Sequence, residues 1–143
     1  MTTRLRSSDT GSITVWMLGV CVTLLFLGGI SLDLWRVLSE RHALAGLVDA
    51  AAIAGASGID EEHFRATGQL QLAPGRAEGL AAANLAAQAD KRSLTAWNAT
   101  ASTEQITVTA AGAVEFTLLK VLVPDTGPLA IQVRATAPPR RSP

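Results

Sequence analysis

The sequence predicts an α+β protein. A single N-terminal transmembrane helix extends into a long Ala-rich helix, followed by a second helix and a small antiparallel sheet of three or four strands. Three observations predict this fold class: an uncharged apolar run at 13–32, helical spacing of apolar residues to about residue 57, and apolar–polar alternation towards the C-terminus. We therefore divide the chain into a tail (1–12), a long helix (13–57), a linker (58–75), a small α+β domain (76–137) and a disordered tail (138–143).

The stretch from Ile13 to Leu32 reads ITVWMLGVCVTLLFLGGISL and carries no charged residue. At about 1.5 Å of rise per residue it spans about 30 Å, the thickness of a bilayer's hydrocarbon core. Trp16 and Trp35 lie near its ends, where indole rings favour the lipid–water interface. A soluble core helix would show a polar stripe, and a cleaved signal peptide would have a shorter apolar region. We therefore expect a retained anchor surrounded by membrane lipid.

Basic residues flank both ends of this anchor. Arg4, Arg6 and the amino terminus precede it, whereas Arg36 and Arg41 follow it. The positive-inside rule then favours a cytoplasmic tail at 1–12 and an extracytoplasmic C-terminal domain.

The helical pattern continues beyond the anchor without a proline. An apolar stripe with helical spacing leads to Gly55 and Gly58, and we expect the helix to stop there with Gly58 at C′. The charges just outside the membrane either fix the depth of the helix or contact a partner subunit, and the small residues further on would let partner helices approach closely. The candidate partner-helix contacts are Asp33, Arg36, Arg41, Asp49, Ala50, Ala51, Ala52 and Gly55. Asp33 and Arg36 are also spaced for an i,i+3 pair.

The second half of the chain contains one helical and several strand-like segments. Arg76 to Lys91 predicts a helix with a narrow face of small residues. Ile106–Thr109 and Val114–Thr117 alternate like strands, with Ala111-Gly112 suited to a hairpin turn between them. A mostly apolar run, Leu118 to Val123, ends at a Pro/Gly turn. The remaining predicted strands are Ile131–Ala137 and an edge strand at Leu94–Ala99 that places Trp97 in the core.

The sequence contains no motif for catalysis, a cofactor or a metal. It lacks G-x-x-x-x-G-K-[ST], G-x-G-x-x-G and H-E-x-x-H, and its single cysteine, Cys21, excludes a C-x-x-C pair. Asp60, Glu61, Glu62 and His63 are consecutive, so in a helix their side chains point in different directions and do not converge on one metal ion. We expect this cluster to be the solvated start of a helix. The formal net charge of zero gives no basic field for nucleic acid. We expect a protein that is not an enzyme and has no cofactor, nucleic-acid partner or small-molecule substrate.

The order of features from Gly11 to Ala56 resembles the N-terminal module of TadE/TadG-like Flp pilus-assembly proteins. The features are Gly11-Ser12-Ile13, the apolar span, Asp33-x-x-Arg36, and Val48-Asp49-Ala50-Ala51-Ala52-Ile53-Ala54-Gly55-Ala56. The resemblance implies a pilin-like subunit of the bacterial inner membrane that packs with other pilus-assembly or secretion subunits. Gly11 and Ser12 would flank a prepilin-peptidase cut, but Trp16 stands where such substrates usually carry Glu, so we expect no cleavage.

Two functions from different classes remain open at this stage. The first is a non-catalytic subunit or assembly factor of a Tad/Flp-type pilus or secretion apparatus. The alternative is a single-pass anchored module that binds or senses an extracytoplasmic partner through its sheet. A small-residue face on the long helix favours the first function, and an exposed apolar groove between the strands favours the second.

Overall fold

The computed structural model of the chain describes residues 10–88, 94–122, 124–125 and 127–140. The elements in chain order are α1 (Thr10–Ala56), α2 (Glu61–Thr67), α3 (Pro74–Gln88), β1 (Leu94–Ala101), β2 (Ile106–Val114), α4 (Leu118–Leu122) and β3 (Leu129–Ala137). The α+β class and the three-stranded antiparallel sheet are as the sequence predicts.

Helix α1 is a single unbroken helix of 47 residues, about 70 Å long at 1.5 Å per residue. Its apolar part reaches a mean hydropathy of 2.2, and none of that window is buried against the rest of the chain. The core helix of a soluble protein would be buried by the rest of the chain. The side chains of a membrane-spanning helix are instead left uncovered by the protein, because they face lipid. The predicted long helix with one candidate membrane span is confirmed.

The sheet has the order β1-β2-β3, with β2 in the centre and antiparallel to both neighbours. Alternate residues of β2 are buried, and they face a layer formed by α1 and α3. The residues between them, such as Thr107 and Thr109, lie on the opposite face. A short turn joins β1 to β2, in which the Ser102 hydroxyl accepts hydrogen bonds from the amides of Glu104 and Gln105.

One hydrophobic core joins the second half of α1 to α3 and the sheet. It consists of alanine, leucine, valine and isoleucine side chains, and Ala77 and Ala81 of α3 lie against Gly55 of α1. Its members include Leu44, Leu47, Val48, Ala51, Ala52, Ala77, Ala81, Leu85, Ile106 and Val108. The residues grouped above as a long helix and those grouped as a small α+β domain therefore share a single core.

The predicted hairpin turn at Ala111-Gly112 is wrong. Strand β2 runs unbroken through both residues, and Gly112 pairs with Leu94 on one side and Ile131 on the other. The neighbouring strands on both sides provide hydrogen-bond partners for the backbone of this dipeptide, and this pairing stabilises the extended conformation over a turn. The alternation that continues at Val114 therefore belongs to the same strand, which ends there.

In the apolar run at Leu118–Val123, the described residues do not join the sheet. Leu118–Leu122 forms the short helix α4, which contacts α1. An apolar run of this length does not distinguish a strand from a buried or docked helix by periodicity.

Gly58 was expected to take the left-handed C′ conformation, and this expectation is wrong. Among the described residues the glycine with positive φ is Gly68, which ends α2 at φ 73°. Gly58 instead permits a close approach, because a Cβ there would lie 2.8 Å from the backbone N and Cα of Ala77. The helix stops where predicted, and the glycine allows α3 to pack against its end.

Trp97 was expected in the core, but 42% of its surface is exposed. It lies on the edge strand β1 opposite Ala110. The neighbouring inward positions Ala99 and Ala101 are half-buried and pack against the core, whereas the helix layer leaves the indole uncovered.

The connection between α1 and α3 is tied down by hydrogen bonds. Asp60 caps α2 by accepting from the His63 amide at 3.0 Å, so the acidic cluster is a helix start as predicted. Ile59 and Leu72 form an isolated antiparallel bridge that closes this loop.

Three predictions fall wholly or partly outside the described residues. Residues 1–9, the end of the second predicted helix beyond residue 88 and residues 141–143 are not described. Before that last stretch, the Arg140 amide donates to the Ala56 carbonyl at 2.9 Å, which ties residue 140 to the end of α1.

Candidate functional site at the membrane boundary and on the long helix

Asp33 lies one residue beyond the apolar segment, and only 6% of its surface is exposed. Its carboxylate faces the start of α4. Oδ1 accepts from the Thr117 amide at 3.2 Å, and Oδ2 accepts from the amides of Leu118 at 2.9 Å and Leu119 at 2.7 Å. One side chain of α1 thus accepts from the amides of the first two residues of α4 and of Thr117, which directly precedes this helix.

These contacts have a clear electrostatic cause. The first amides of a helix have no intrahelical partner and carry partial positive charge, so they favour an anion. The Leu119 amide, followed by those of Thr117 and Leu118 and by the Arg36 charge, lowers the pKa of Asp33 below its ordinary value of 3.8, although burial acts in the opposite direction. Asp33 is therefore a carboxylate at neutral pH.

Arg36 reaches the same segment. Its Nη1 donates to the Thr117 hydroxyl at 2.9 Å. The two residues proposed as an i,i+3 pair thus both contact the start of α4, and Arg36 contributes to the lowered pKa of Asp33 through its charge. Asp33 and Arg36 thus join α1 to a distant part of the same chain. The sequence analysis expected these charges either to fix the depth of the helix or to contact a partner subunit, and neither alternative includes this contact.

Gly29 allows α4 to lie close to α1. A Cβ at this position would lie 3.3 Å from Cδ1 of Leu118. Below this contact, an apolar groove of about 250 Å³ is lined by Val22, Leu25, Phe26, Gly29, Leu118 and Val121. Helix α4 therefore sits on the downstream part of the apolar segment.

The small-residue stretch of α1 divides between the interior and the surface. Ala51, Ala52 and Gly55 are buried in the chain's own core. A Cβ at Gly55 would collide with Ile106 and would lie 2.9 Å from the Ala77 carbonyl oxygen. Gly55 thus already has a helix partner within the chain, namely α3, and Ala51 and Ala52 belong to the same core.

The opposite side of α1 is exposed, and we call it the outer face. The residues share one side of the helix at i, i+3, i+4 and i+7 spacing and are exposed beyond the membrane segment. They are Leu34, Leu38, Arg41, His42, Asp49 and Ile53. Of the candidate partner contacts, Arg41 and Asp49 thus lie on the outer face and Ala50 is half-buried at its edge.

The outer face continues into the apolar segment. A groove of about 370 Å³ is lined there by Trp16, Gly19, Val20, Thr23 and Leu24. Nothing lies within 4 Å of a Cβ built on Gly19, and the Thr23 hydroxyl is satisfied by the Gly19 carbonyl at 2.8 Å. Gly19 and Thr23 thus give this side of the helix a small-x-x-x-small pattern, which suits close helix crossing.

The remaining candidate positions bear on processing and on metals. Gly11 and Ser12 lie in the first turn of α1, which begins at Thr10. Within the part of the chain that the structure describes, no group of three or more His, Cys, Asp or Glu side chains is placed to hold a metal ion.

Sequence reasoning missed the contact between Asp33 and α4. The two segments are 84 to 86 residues apart in the chain, and a single sequence gives no information on such pairings. One local signal was available: Thr117 directly precedes an apolar run, as an N-cap residue does.

Comparison with known proteins identifies the N-terminal part of the chain. Searches of curated proteins and of solved structures found no match. Residues 11–58 match the family model described as putative Flp pilus-assembly TadE/G-like. The match covers α1 from its first turn and continues two residues beyond it to Gly58, the glycine against which α3 packs. The resemblance seen in the sequence is confirmed for residues 11–58, which are similar to the TadE/G-like Flp pilus-assembly family.

Proposed function

We propose that this protein is a membrane-anchored, non-catalytic, pilin-like subunit or assembly factor of a Tad/Flp-type pilus or secretion apparatus. The TadE/G-like match and the one candidate membrane span among the described residues support a pilus-assembly role in a single-pass membrane protein. In this proposal the tail before α1 is cytoplasmic, α1 crosses the inner membrane, and the core with its sheet is extracytoplasmic. Its partners are membrane lipid and other pilus-assembly or secretion subunits.

The observation that carries the proposal is the two-sided character of α1. One side is buried in the chain's own core, while the outer face is exposed from the apolar segment to Ile53. A helix that only anchored a domain would need no exposed face that continues from the membrane segment along its outer part. An outer face that continues for tens of ångströms past the bilayer suits side-by-side packing with the helix of another subunit.

Charge on the outer face gives this packing a direction. Arg41 and Asp49 are both exposed and eight residues apart, about 12 Å along the helix. A partner helix with the opposite order of charges would pair with both residues, and such pairs fix register and partner choice more than they add affinity.

A complementation experiment tests the proposal. In a host strain lacking this chain, variants Asp49→Lys and Ile53→Lys are expressed beside the control Ala83→Lys, which places the same charge on an exposed position of α3. We expect the first two variants to lose surface pili while membrane levels stay equal to wild type, and the control to keep them. Normal piliation by both outer-face variants would contradict the proposal.

The alternative function is a binding or sensing module that uses the sheet. Its specific support is the exposed Trp97, beside a groove of about 210 Å³ that also includes Asn98, Thr109 and Gln132. This groove is partly polar rather than the apolar one that the alternative calls for. If Trp97→Ala abolishes function in the complementation experiment while Ile53→Lys does not, the alternative is favoured.

A further inference from the structure

Helix α4 lies beside a part of α1 that belongs to the apolar segment. Leu118 contacts Gly29, and Leu118 and Val121 line a groove with Val22, Leu25 and Phe26. The contact therefore begins at the membrane boundary at Asp33 and extends towards the N-terminal end of α1.

The depth of α4 follows from the geometry of α1. If the hydrocarbon region ends near Leu32, Gly29 lies about 4.5 Å inside it and Phe26 about 9 Å inside it, at 1.5 Å per residue. A hydrocarbon core of about 30 Å has leaflets of about 15 Å. Side chains of α4 that reach the level of Phe26 thus lie inside one leaflet.

Two apolar side chains of α4 stay exposed although they lie beside α1. Val121 is 76% exposed and Leu118 is 41% exposed, although both are large aliphatic side chains. Exposure of such side chains to water is unfavourable. The single charged residue of α4, Lys120, is exposed, and a lysine stem is long enough to carry its ammonium to the headgroups.

The backbone amides at the start of α4 have hydrogen-bond partners, as an apolar environment requires. Unsatisfied amides are costly in hydrocarbon, and the carboxylate of Asp33 accepts from the three amides at the start of this helix. The amide–carboxylate contacts lie at the boundary itself, and they leave only 6% of the Asp33 surface exposed.

We propose that α4 is a second membrane-inserted element, a short helix that dips into the extracytoplasmic leaflet beside α1 and contacts lipid acyl chains through Leu118 and Val121. Lys120 reaches the lipid phosphates. The chain is thus attached to the bilayer at two points, which restrains rotation of its core about the axis of α1. The proposal rests on α1 crossing the membrane and is independent of any role in pilus assembly.

Depth-dependent fluorescence quenching tests this proposal on the full chain. In a Cys21→Ala background, a nitrobenzoxadiazole label is attached to Val121→Cys, with Leu24→Cys as the membrane reference and Ala83→Cys on α3 as the aqueous reference. All three positions are exposed, so the label displaces no core packing. Each labelled protein is reconstituted in vesicles of phosphatidylcholine and phosphatidylglycerol, with spin-labelled lipid or aqueous iodide as quencher.

The label at Val121 is expected to behave like the one at Leu24: strong quenching by spin-labelled lipid, several-fold weaker quenching by iodide than at Ala83, and blue-shifted emission. Iodide quenching equal to that at Ala83 would place α4 in water and overturn the proposal. Protection from both quenchers would mean that protein, such as a second copy, covers α4, and it would overturn the proposal as well. Iodide quenching at Leu24 would show that α1 does not span the membrane, and it would overturn the proposal too. Loss of pilus function alone would leave the result at Val121 unaffected.

Discussion

The glycines of α1 provide a prediction in which the same substitution has opposite effects on one helix. Gly46 is exposed, and nothing lies within 4 Å of a Cβ built on it. Gly46→Ala should therefore raise stability by about 0.5–1 kcal/mol, since alanine loses less backbone entropy than glycine in a helix.

Gly55→Ala should lower stability although the residue also lies in the helix. Its Cβ would collide with Ile106, would lie 2.9 Å from the Ala77 carbonyl oxygen and would lie 3.3 Å from the Ala81 Cβ. Overpacking costs about 1–3 kcal/mol, and the helical gain of about 0.5–1 kcal/mol offsets part of it. Because the end of Ile106 can move but the Ala77 backbone cannot, we expect a net loss of about 1–2 kcal/mol.

Thermal unfolding of the full chain in dodecyl maltoside micelles, followed by far-UV circular dichroism, measures both effects. A change of 1 kcal/mol shifts Tm by about 4–8 °C in a domain of 60–100 residues. We therefore expect Gly55→Ala to lower Tm by about 5–15 °C and Gly46→Ala to raise it by about 2–8 °C. Equal shifts of the same sign would refute the close packing of α3 on α1.

Three further predictions use different parts of the molecule. Leu85→Ala should cost about 2–5 kcal/mol in the same unfolding assay because the side chain is fully buried, and Leu80→Ala, on the exposed side of α3, should cost clearly less; equal losses would contradict the assigned helix face. Asp33 has a lowered pKa, so its contribution to stability is complete above its ordinary pKa of 3.8 and is lost as the pH falls through the lower folded value. Wild type should therefore exceed Asp33→Asn in stability at pH 7 and converge with it on acidification below 3.8, and a constant difference would contradict the capping role. Intact mass of protein from the native membrane should show the Gly11–Ser12 bond uncut, whereas a chain beginning at Ser12 would show that a prepilin peptidase accepts it despite Trp16.

The features that the sequence predicted correctly are those with a local cause. The uncharged run at Ile13–Leu32 is long enough for a bilayer, and the stripe beyond it requires the helix to continue without a break. The apolar–polar alternation around Ile106 predicts a strand because neighbouring side chains point to opposite faces of a sheet. The family resemblance has a local cause as well, because its motifs lie in one continuous stretch of the chain, from Gly11 to Ala56.

The features that the sequence did not predict depend on what packs where. Ala111-Gly112 has the composition of a turn, and only its two neighbouring strands make it the middle of β2. The small residues Ala51 and Gly55 predict close approach of another helix, but their spacing does not say whether that helix belongs to this chain or to a partner. Asp33 resembles a boundary charge until the fold brings α4 to it.

The central claim is that the outer face of α1 contacts other subunits of a pilus-assembly apparatus. The most direct measurement is photo-crosslinking in living host cells, with benzoylphenylalanine at Ile53 and, as a matched control, at the exposed Ala83 of α3. We predict that Ile53 crosslinks to a second TadE/G-like or pilus-assembly membrane subunit, identified by mass spectrometry, and that Ala83 does not. Absence of any crosslink at Ile53 under conditions in which pili form would contradict the claim.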